Sequence, residues 1–417
     1  MASFSFGTGN AAKLLRIPLY AAGRIGTLIV PRGRRWVFGC GAGIGDGALA
    51  LQRVASAEGH DTVWLTASER EARDAAALGI RTVPKSGLRG WWATARGGVL
   101  VVTHGLGDVN RYGNGGGFVV QLWHGIPLKR IGLDSPATTR VPEVPGAALL
   151  RRLVGVLYRA AAQSIRVLPA ASHRARGRLE SAFGLPGDRV VVTGEPRVDV
   201  LSVGTAAERR ADAWAALRRC IPDLPETSRL VLYAPTWRDG AADPAVPSAE
   251  QWVRIIRVLE QRDAVLLVRS HPLGQGAYVP PLPTTRVRML GADVLPDVTP
   301  ALPAVDVLVT DYSSLAYDVG LLAMPVLYLA PDVDEYARTR GFYGRFSDVA
   351  GDDACEGWDE LEVRLDRVLA DDAEFAVRAQ RSAALSARMH AFRDGGNARR
   401  VYRAIRARGI PAPKGAA

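Results

Sequence analysis

Two histidines that follow predicted strands are the residues of this sequence best suited to acid–base chemistry. His124 comes shortly after the apolar run at 118–122, and His271 comes shortly after the run at 265–268. An imidazole titrates near pH 6.5, at about the value that lets it accept a hydroxyl proton under neutral conditions. One histidine at a strand end is more often structural, but two of them favour a catalytic interpretation. We therefore predict that His124 and His271 are catalytic.

Hydroxyl groups and a cation at other strand ends predict a phosphate site. Ser313 and Ser314 stand between a predicted strand and a predicted helix, where free backbone N–H groups and the helix dipole attract an anion. Simple helix capping is the alternative interpretation of these hydroxyls. Thr236 occupies a similar position after a neighbouring strand, and Lys129, one turn beyond His124, could supply charge to a phosphate. Such a site would need no metal ion.

The predicted strands must position these histidines, hydroxyls and lysine. The strands are seen in the sequence as short apolar runs, and each run is usually followed by an Ala/Arg/Leu-rich stretch. Alternation of buried strands and helices is typical of parallel α/β sheets, in which ligands bind beyond the carboxyl ends of the strands. The pattern therefore predicts two doubly wound sheets. The predicted strands are 35–38, 62–65, 99–102, 118–122, 165–168 and 190–192 in the first half, and 230–233, 265–268, 305–309 and 326–329 in the second.

The length and the breaks in the pattern predict two domains. A chain of 417 residues exceeds one ordinary core and suits two domains of roughly 200 residues each. A helical, charged stretch and a proline-rich stretch between 205 and 225 mark the junction. We expect a first domain at 1–204, a second at 205–390, and a closing helix with a tail at 391–417.

The positive charge is concentrated in two apolar tracts. The net charge is +11, and residues 1–45 and 145–179 contain basic residues and no carboxylate. Arginines spaced among leucine and valine suit a helix that lies on an anionic lipid surface, and a core-facing helix with a solvated basic face is the alternative. Nucleic acid is disfavoured as a partner because the sequence has no recognised nucleic-acid motif or aromatic platform.

Other patterns exclude several classes of protein. The three cysteines, Cys40, Cys220 and Cys355, form no CxxC motif, which argues against structural zinc and a secreted disulfide framework and favours a reducing cytosol. No uninterrupted apolar run is long enough to predict a transmembrane span. The glycine-rich stretch at 39–47 fits no register of G-x-G-x-x-G, so a dinucleotide site is disfavoured.

Six motifs along most of the chain resemble, in the same order, the CDP-glycerol glycerophosphotransferase family of wall teichoic acid synthesis. The frequent WHGTPLK of that family is WHGIPLK here, so a hydroxyl contact at that position is absent. The length is closer to the priming members than to the polymerising members. The motifs are WHGIPLKRIGLD at 123–134, TGEPRVDVL at 193–201, LYAPTWRD at 232–239, RSHP at 269–272, VTDYSSLAYDVGLLAMPVLYLAPDVDEYARTRGFY at 309–343 and FRDGGNARR at 392–400.

The resemblance implies a GT-B-type α/β fold, with two Rossmann-like doubly wound domains facing a central cleft. It implies an enzyme that moves glycerol phosphate, or a related polyol phosphate, from a CDP-polyol donor to an undecaprenyl-type lipid-linked acceptor and releases CMP. It implies no cofactor besides these substrates. It also implies a peripheral, monotopic protein at the cytoplasmic face of the membrane, in agreement with the basic apolar tracts.

The resemblance also suggests roles for individual residues. His124 would take the proton of the acceptor hydroxyl, and His271 would stabilise phosphate charge or assist the leaving CMP. Asp311 would orient its loop or meet a donor hydroxyl. The predicted pyrophosphate cradle is formed by Thr236, Ser313 and Ser314, with Arg340 and Lys129 as charge partners.

Two other functions remain open from the sequence. A GT-B glycosyltransferase or epimerase that uses a UDP-sugar would share the architecture, and it would prefer the UDP-sugar to a CDP-polyol. A noncatalytic basic protein of the membrane surface would bind lipid without nucleotide hydrolysis or transfer.

Overall fold

The computed structural model describes residues 17–136, 138, 141, 147–238, 242–270 and 278–413. These residues form two compact units. The first consists of the described residues up to Asp199 together with those from Asp394 onward, and the second runs from Val200 to Arg393. Each unit contains its own parallel β-sheet covered by helices.

The first unit is built on a seven-stranded sheet with the order β3-β2-β1-β4-β5-β6-β7. Neighbouring strands pair in parallel throughout this order. The chain therefore extends the sheet outward from β1 and then crosses back to place β4 on the other side of β1. The strands are β1 Trp36–Phe38, β2 Thr62–Thr66, β3 Thr82–Pro84, β4 Val99–Val102, β5 Phe118–Gln121, β6 Ile165–Ala170 and β7 Val190–Val192.

The second unit repeats this topology with a six-stranded parallel sheet in the order β10-β9-β8-β11-β12-β13. Here the crossing back occurs between β8 and β11. The strands are β8 Arg229–Ala234, β9 Ala264–Val268, β10 Val287–Met289, β11 Val307–Thr310, β12 Val326–Leu329 and β13 Ala354–Cys355.

Helices connect the strands, and polar caps fix where several of them begin. Thr205 and Glu208 form a reciprocal capping box, as do Ser248 and Gln251, so each side chain bonds an otherwise unpaired backbone N–H. The helices of the first unit are α1 Ile17–Ile29, α2 Asp46–Ala57, α3 Glu69–Ala77, α4 Gly87–Arg96, α5 Ala147–Ala162, α6 His173–Phe183 and α14 Asn397–Arg406. Those of the second unit are α7 Ala206–Cys220, α8 Ala249–Gln261, α9 Leu315–Val319, α10 Val333–Thr339, α11 Ser347–Ala350, α12 Trp358–Ala370 and α13 Asp372–Met389.

The last helix completes the core of the first unit. Its apolar residues Val401 and Ile405 are fully buried in the same cluster as Trp36. The hydroxyl of Tyr402 lies 3.0 Å from Nε2 of His60. The helix α14 packs on α2 and β6. Residues near the end of the described chain therefore share one hydrophobic core with residues near position 36.

The α/β architecture with two parallel sheets, predicted from the apolar runs, is confirmed, and every predicted strand is present. Three further strands, β3, β10 and β13, were not predicted, and all three lie at sheet edges. The basic tract near the beginning of the chain contains α1, on which several apolar side chains are exposed. Among the described residues, no helix combines the length and apolar character needed to cross a membrane.

Candidate active site

His124 lies in the loop that leaves the carboxyl end of β5, and the backbone around it is unusual. The preceding Trp123 has a φ of 62°, in the left-handed region that bulky residues rarely adopt, and Gly125 has a φ of 144°. The Trp123 ring packs edge-on against Phe183, with centroids 5.2 Å apart, which holds this conformation. Backbone strain of this kind is found at functional sites and turns the His124 side chain in a defined direction.

A second histidine, His104, stacks on His124. The two ring centroids are 4.4 Å apart and the planes differ by 4°. His104 follows β4, the strand next to β5, in the sequence Thr-His-Gly. Sequence reasoning missed it, although the repetition of His-Gly after two adjacent strands was a usable signal.

One carboxylate fixes the loop that carries His104. Oδ2 of Asp108 accepts hydrogen bonds from the backbone N–H groups of Thr103 at 2.9 Å, His104 at 2.7 Å and Gly105 at 3.3 Å. The Thr103 hydroxyl lies 2.8 Å from Nδ1 of His104 and 3.1 Å from the Cys40 sulfur. Both the backbone and the ring of His104 are therefore held in place.

The surroundings of His124 favour its neutral form. Burial lowers its pKa well below the usual 6.5, and nearby His104, Arg197 and Lys129 lower it further. The Thr103 carbonyl, 3.5 Å from Nδ1 of His124, opposes this shift. A carbonyl can only accept, so this contact places the proton on Nδ1 and leaves the lone pair on Nε2. A neutral imidazole with an available lone pair can act as a base.

A buried ion pair lies close enough to His124 to influence it. Arg197 donates to Glu195 at 2.9 Å, and both side chains are less than a tenth exposed. They belong to the loop after β7, within the TGEPRVDVL motif at 193–201. Lys129, predicted as a phosphate contact, lies close enough to His124 for its charge to contribute to the lowered pKa.

Both units place polar side chains at the point where the strand order reverses. In the first sheet this point lies between β1 and β4, and the loops after these strands carry Cys40 and His104. In the second sheet it lies between β8 and β11, and the loops carry Thr236 and Asp311. Open α/β sheets bind ligands at such crevices, so the topology gives each unit one expected binding position.

In the second unit Asp311 connects the two loops at this position. Oδ1 accepts from the backbone N–H of Thr236 at 2.8 Å and Oδ2 accepts from Arg238 at 2.8 Å. The guanidinium of Arg238 also binds both carboxylate oxygens of Asp332, at 2.7 and 2.9 Å. Asp311 is 3% exposed. Asp311 therefore holds the backbone of the Thr236 loop and the Arg238 side chain in place.

The Arg238 side chain is enclosed by aromatic rings. Its guanidinium carbon lies 4.9 Å from the ring centroid of Tyr312 and 5.0 Å from that of Tyr336. The Tyr312 hydroxyl donates to Asp332 at 2.8 Å. Burial lowers the pKa of Arg238, but hydrogen bonds and charge from Asp332 and Asp311 outweigh it and leave the pKa raised. Sequence reasoning did not assign Arg238 or Asp332 to the site.

The predicted hydroxyl groups differ in how they are bonded. Oγ of Ser313 accepts from the backbone N–H of Leu315 at 3.2 Å, while the side chain of Ser314 makes no capping bond to α9. Thr236 is 7% exposed, and within the described part of the chain its Oγ1 is buried without a hydrogen-bond partner. Such a hydroxyl is costly unless a ligand completes its bonding.

Arg340 and His271 are the remaining predicted site residues. Arg340 follows the end of α10 and is partly buried. His271 lies outside the described residues. Arg269, two positions before it in the sequence, donates to the backbone carbonyls of Leu290, Leu295 and Pro296 at 2.7 to 3.1 Å, which anchors the chain just after β9.

In the part of the chain that the structure describes, no group of three or more His, Cys, Asp or Glu side chains is arranged to hold a metal ion.

Curated relatives of this chain act in teichoic acid synthesis. The teichoic acid glycerol-phosphate transferase of Staphylococcus aureus (strain NCTC 8325 / PS 47) is 29% identical over 231 residues, which cover 54% of this chain and 55% of that protein. The teichoic acid poly(glycerol phosphate) polymerase of Staphylococcus epidermidis is 29% identical over 233 residues, or 54% of this chain and 30% of that protein. The matches thus span about half or less of the relatives' own length.

Solved structures share the fold. The wall teichoic acid polymerase TagF gives a TM-score of 0.73 at 20% identity, covering 95% of both chains. The UDP-GlcNAc 2-epimerase of Neisseria meningitidis gives a TM-score of 0.51 at 12% identity, covering 89% of this chain and 99% of that one. These likenesses confirm the predicted GT-B-type architecture.

The family resemblance stated from the six motifs is confirmed by a family model. The model described as CDP-glycerol:poly(glycerophosphate) glycerophosphotransferase matches residues 41–407, which include the His124 loop and the Asp311 loop. The chain therefore belongs to this glycerophosphotransferase family.

Proposed function

We propose that this protein transfers glycerol phosphate, or a related polyol phosphate, from a CDP-polyol to a lipid-linked acceptor of the teichoic acid type. The observation that carries the proposal is the partly buried, neutral His124 beside the reversal point of the first sheet. The family and the teichoic acid relatives support the choice of donor and acceptor.

In the proposed reaction the acceptor hydroxyl attacks the phosphorus that carries the polyol. A new P–O bond forms to the acceptor, the P–O bond to CMP breaks, and CMP leaves with the electron pair. Nε2 of His124 takes the hydroxyl proton, since its Nδ1 faces the Thr103 carbonyl. Phosphoryl transfer depends mainly on position and charge stabilisation, so one base and a few fixed donors can supply much of the catalysis.

The donor would be bound by the residues predicted for it. The Thr236 hydroxyl, which has no hydrogen-bond partner among the described residues, would donate to the pyrophosphate, and Ser313 and Ser314 would contribute from the loop after β11. Arg340 and Lys129 would add positive charge. His271 would stabilise phosphate charge or assist the departure of CMP, and Asp311 would act by holding the Thr236 backbone.

The acceptor would be reached at an anionic membrane surface, on which the protein would lie peripherally at the cytoplasmic face. On α5 the side chains of Leu149, Leu153 and Val156 are exposed, and so are Arg151 and Arg152. An exposed helix face that combines apolar side chains with arginines suits shallow insertion among anionic headgroups.

The test is CMP release by the purified protein from CDP-glycerol and CDP-ribitol, with and without a lipid-linked disaccharide acceptor. We expect acceptor-dependent CMP release that falls about 10²- to 10⁴-fold in His124→Ala, the usual scale for a lost general base. His173→Ala, which changes an exposed histidine at the start of α6, is the matched control and should keep full activity. Near-normal turnover by folded His124→Ala, or turnover of a UDP-sugar in place of both donors, would contradict the proposal.

A further inference from the structure

We propose that His104 is a positioning residue that acts through His124, whose ring it holds in a parallel stack. The proposal rests on the transfer function proposed above, in which His124 is the base. The starting observation is geometric: two imidazoles from adjacent strand ends lie with centroids 4.4 Å apart and planes 4° from parallel. Because His104 covers one face of the His124 ring, it limits the directions from which a substrate can approach.

His104 can serve as a fixed surface because it is itself held from several directions. Asp108 binds the backbone N–H groups around it, and the Thr103 hydroxyl lies 2.8 Å from its Nδ1. Gly41, in the loop after β1, packs so closely that a Cβ there would lie 2.7 Å from Cγ of His104. A side chain at position 41 would therefore displace the ring.

The stack also couples the protonation of the two rings. Two imidazolium ions at this separation repel each other, so the pair takes up its protons in two separate steps. The charged groups that influence His124 are His104, Arg197 and Lys129, all of which oppose a proton there. Asp108 favours a proton on His104, although burial lowers the pKa of that ring as well.

The neighbouring charges therefore favour uptake of the first proton by His104 rather than by His124. His124 stays neutral until the pH is lower, because its protonation must then oppose a charged neighbour. His104 is thus the favoured site for the first proton, and His124 stays neutral. His104 also fixes the plane of the His124 ring.

The first variant is His104→Phe, which keeps an aromatic ring in the stack but removes its nitrogen atoms and its charge. The side-chain ¹⁵N signals of the full-length, histidine-labelled protein would be followed through a pH titration. We expect His124 to titrate in a single step, at higher pH than in the unmodified protein. The acid limb of kcat/KM for CMP release should move to higher pH in parallel.

The second variant is Gly41→Ala, which changes no titratable group but pushes a Cβ against His104. It should reduce kcat/KM by up to about 100-fold, which is the loss expected when a catalytic group is displaced but still present. Gly177→Ala is the matched control, and it should leave kcat/KM unchanged, since a Cβ at this position in α6 meets no atom of the described residues within 4 Å beyond the adjacent backbone of its own helix. Circular dichroism of each variant would verify that it folds.

The ¹⁵N titration and the CMP assay separate failure of this proposal from failure of the proposed function. If His124 titrates identically in the unmodified protein and in folded His104→Phe, the positioning role is wrong, whether or not CMP is released. If the unmodified protein releases no CMP from any CDP-polyol, the proposed function fails, and a positioning role in that reaction fails with it. A shifted His124 titration together with a shifted acid limb supports the proposal.

Discussion

The carboxylate of Asp199 binds the start of the last helix, accepting hydrogen bonds from the backbone N–H groups of Asn397 at 3.0 Å and Ala398 at 2.8 Å. The Asn397 amide in turn donates to the Glu195 carbonyl at 3.2 Å. The loop that carries Glu195 and Arg197 is therefore connected to a helix almost two hundred residues further along the chain. A change in α14 can consequently reach the surroundings of His124.

Asp199→Ala should destabilise the protein by about 1 to 2 kcal/mol, because two N–H groups at the start of α14 lose their acceptor. The measurement is the midpoint of urea unfolding, followed by circular dichroism. Asp199→Asn keeps one acceptor oxygen, so it should lose less stability than Asp199→Ala. Equal midpoints for the alanine variant and the unmodified protein would show that this contact contributes nothing.

The kcat/KM of the unmodified protein should persist below pH 6.5. His124 must be neutral to act as the base, and its lowered pKa keeps it neutral as the pH falls past the usual histidine value. Activity is therefore present above the lowered pKa and is lost as the pH falls through it. A pH profile of kcat/KM measures this directly, and an acid limb centred at or above about 6.5 would contradict the prediction.

Thr236→Val should weaken donor binding without loss of stability. The substitution is close in shape, and Oγ1 has no hydrogen-bond partner among the residues that the structure describes, so folding loses no contact. A lost hydrogen bond to a charged phosphate is worth about 1.5 to 3 kcal/mol, or about a 10- to 100-fold rise in the dissociation constant of CDP-glycerol. Calorimetric titration of each variant gives this constant.

Thr236→Ser is the matched control for this measurement, because it retains the hydroxyl. It should bind the donor nearly as well as the unmodified protein. Unchanged donor affinity in Thr236→Val would remove Thr236 from the proposed pyrophosphate site.

Arg238→Met should destabilise the protein by about 3 to 5 kcal/mol, since it leaves the carboxylates of Asp311 and Asp332 without their shared cation. The urea midpoint measures the loss. Arg254→Met is the matched control, because its ion pairs with Glu362 and Asp359 lie near the surface, and its effect should be much smaller. Similar urea midpoints for the two variants would contradict a larger stabilising contribution from the buried contacts of Arg238 with Asp311 and Asp332.

Leu149→Glu combined with Leu153→Glu should weaken binding to anionic vesicles while leaving CDP-glycerol affinity unchanged. Both leucines are exposed on α5, so the change removes apolar surface and adds negative charge without disturbing a core. Co-sedimentation with phosphatidylglycerol vesicles measures the effect. Val363→Glu, on the exposed face of α12 in the second unit, is the control, and equal loss of binding in both proteins would contradict the assignment of this face.

The strands that sequence reasoning found are those with a buried, apolar signature. Val99–Val102 and Ala264–Val268 are covered on both faces, so their sequences are continuous apolar runs. Thr82–Pro84 and Val287–Met289 have one neighbouring strand each and are only partly buried, so they need no such run. Their positions depend on pairing across the chain, which local composition does not report.

The candidate site was predicted residue by residue but not as a network. The position of His124 after a strand was evident from the sequence, whereas its stacking on His104 depends on the order of β4 and β5 in the sheet. The contact between Arg238 and Asp332 likewise joins loops 94 positions apart. Neither spacing nor composition shows which of many arginines and aspartates meet.

The participation of α14 in the first core has a consequence for biosynthesis. Val401 and Ile405 leave the ribosome only after the whole second unit has been translated, so the first core stays incomplete during that time. The second unit can thus finish folding while the α2 face of the first unit still lacks its covering helix. Exposed apolar surface of this kind promotes aggregation, so the yield of native protein should depend on how quickly α14 is translated and packs on α2.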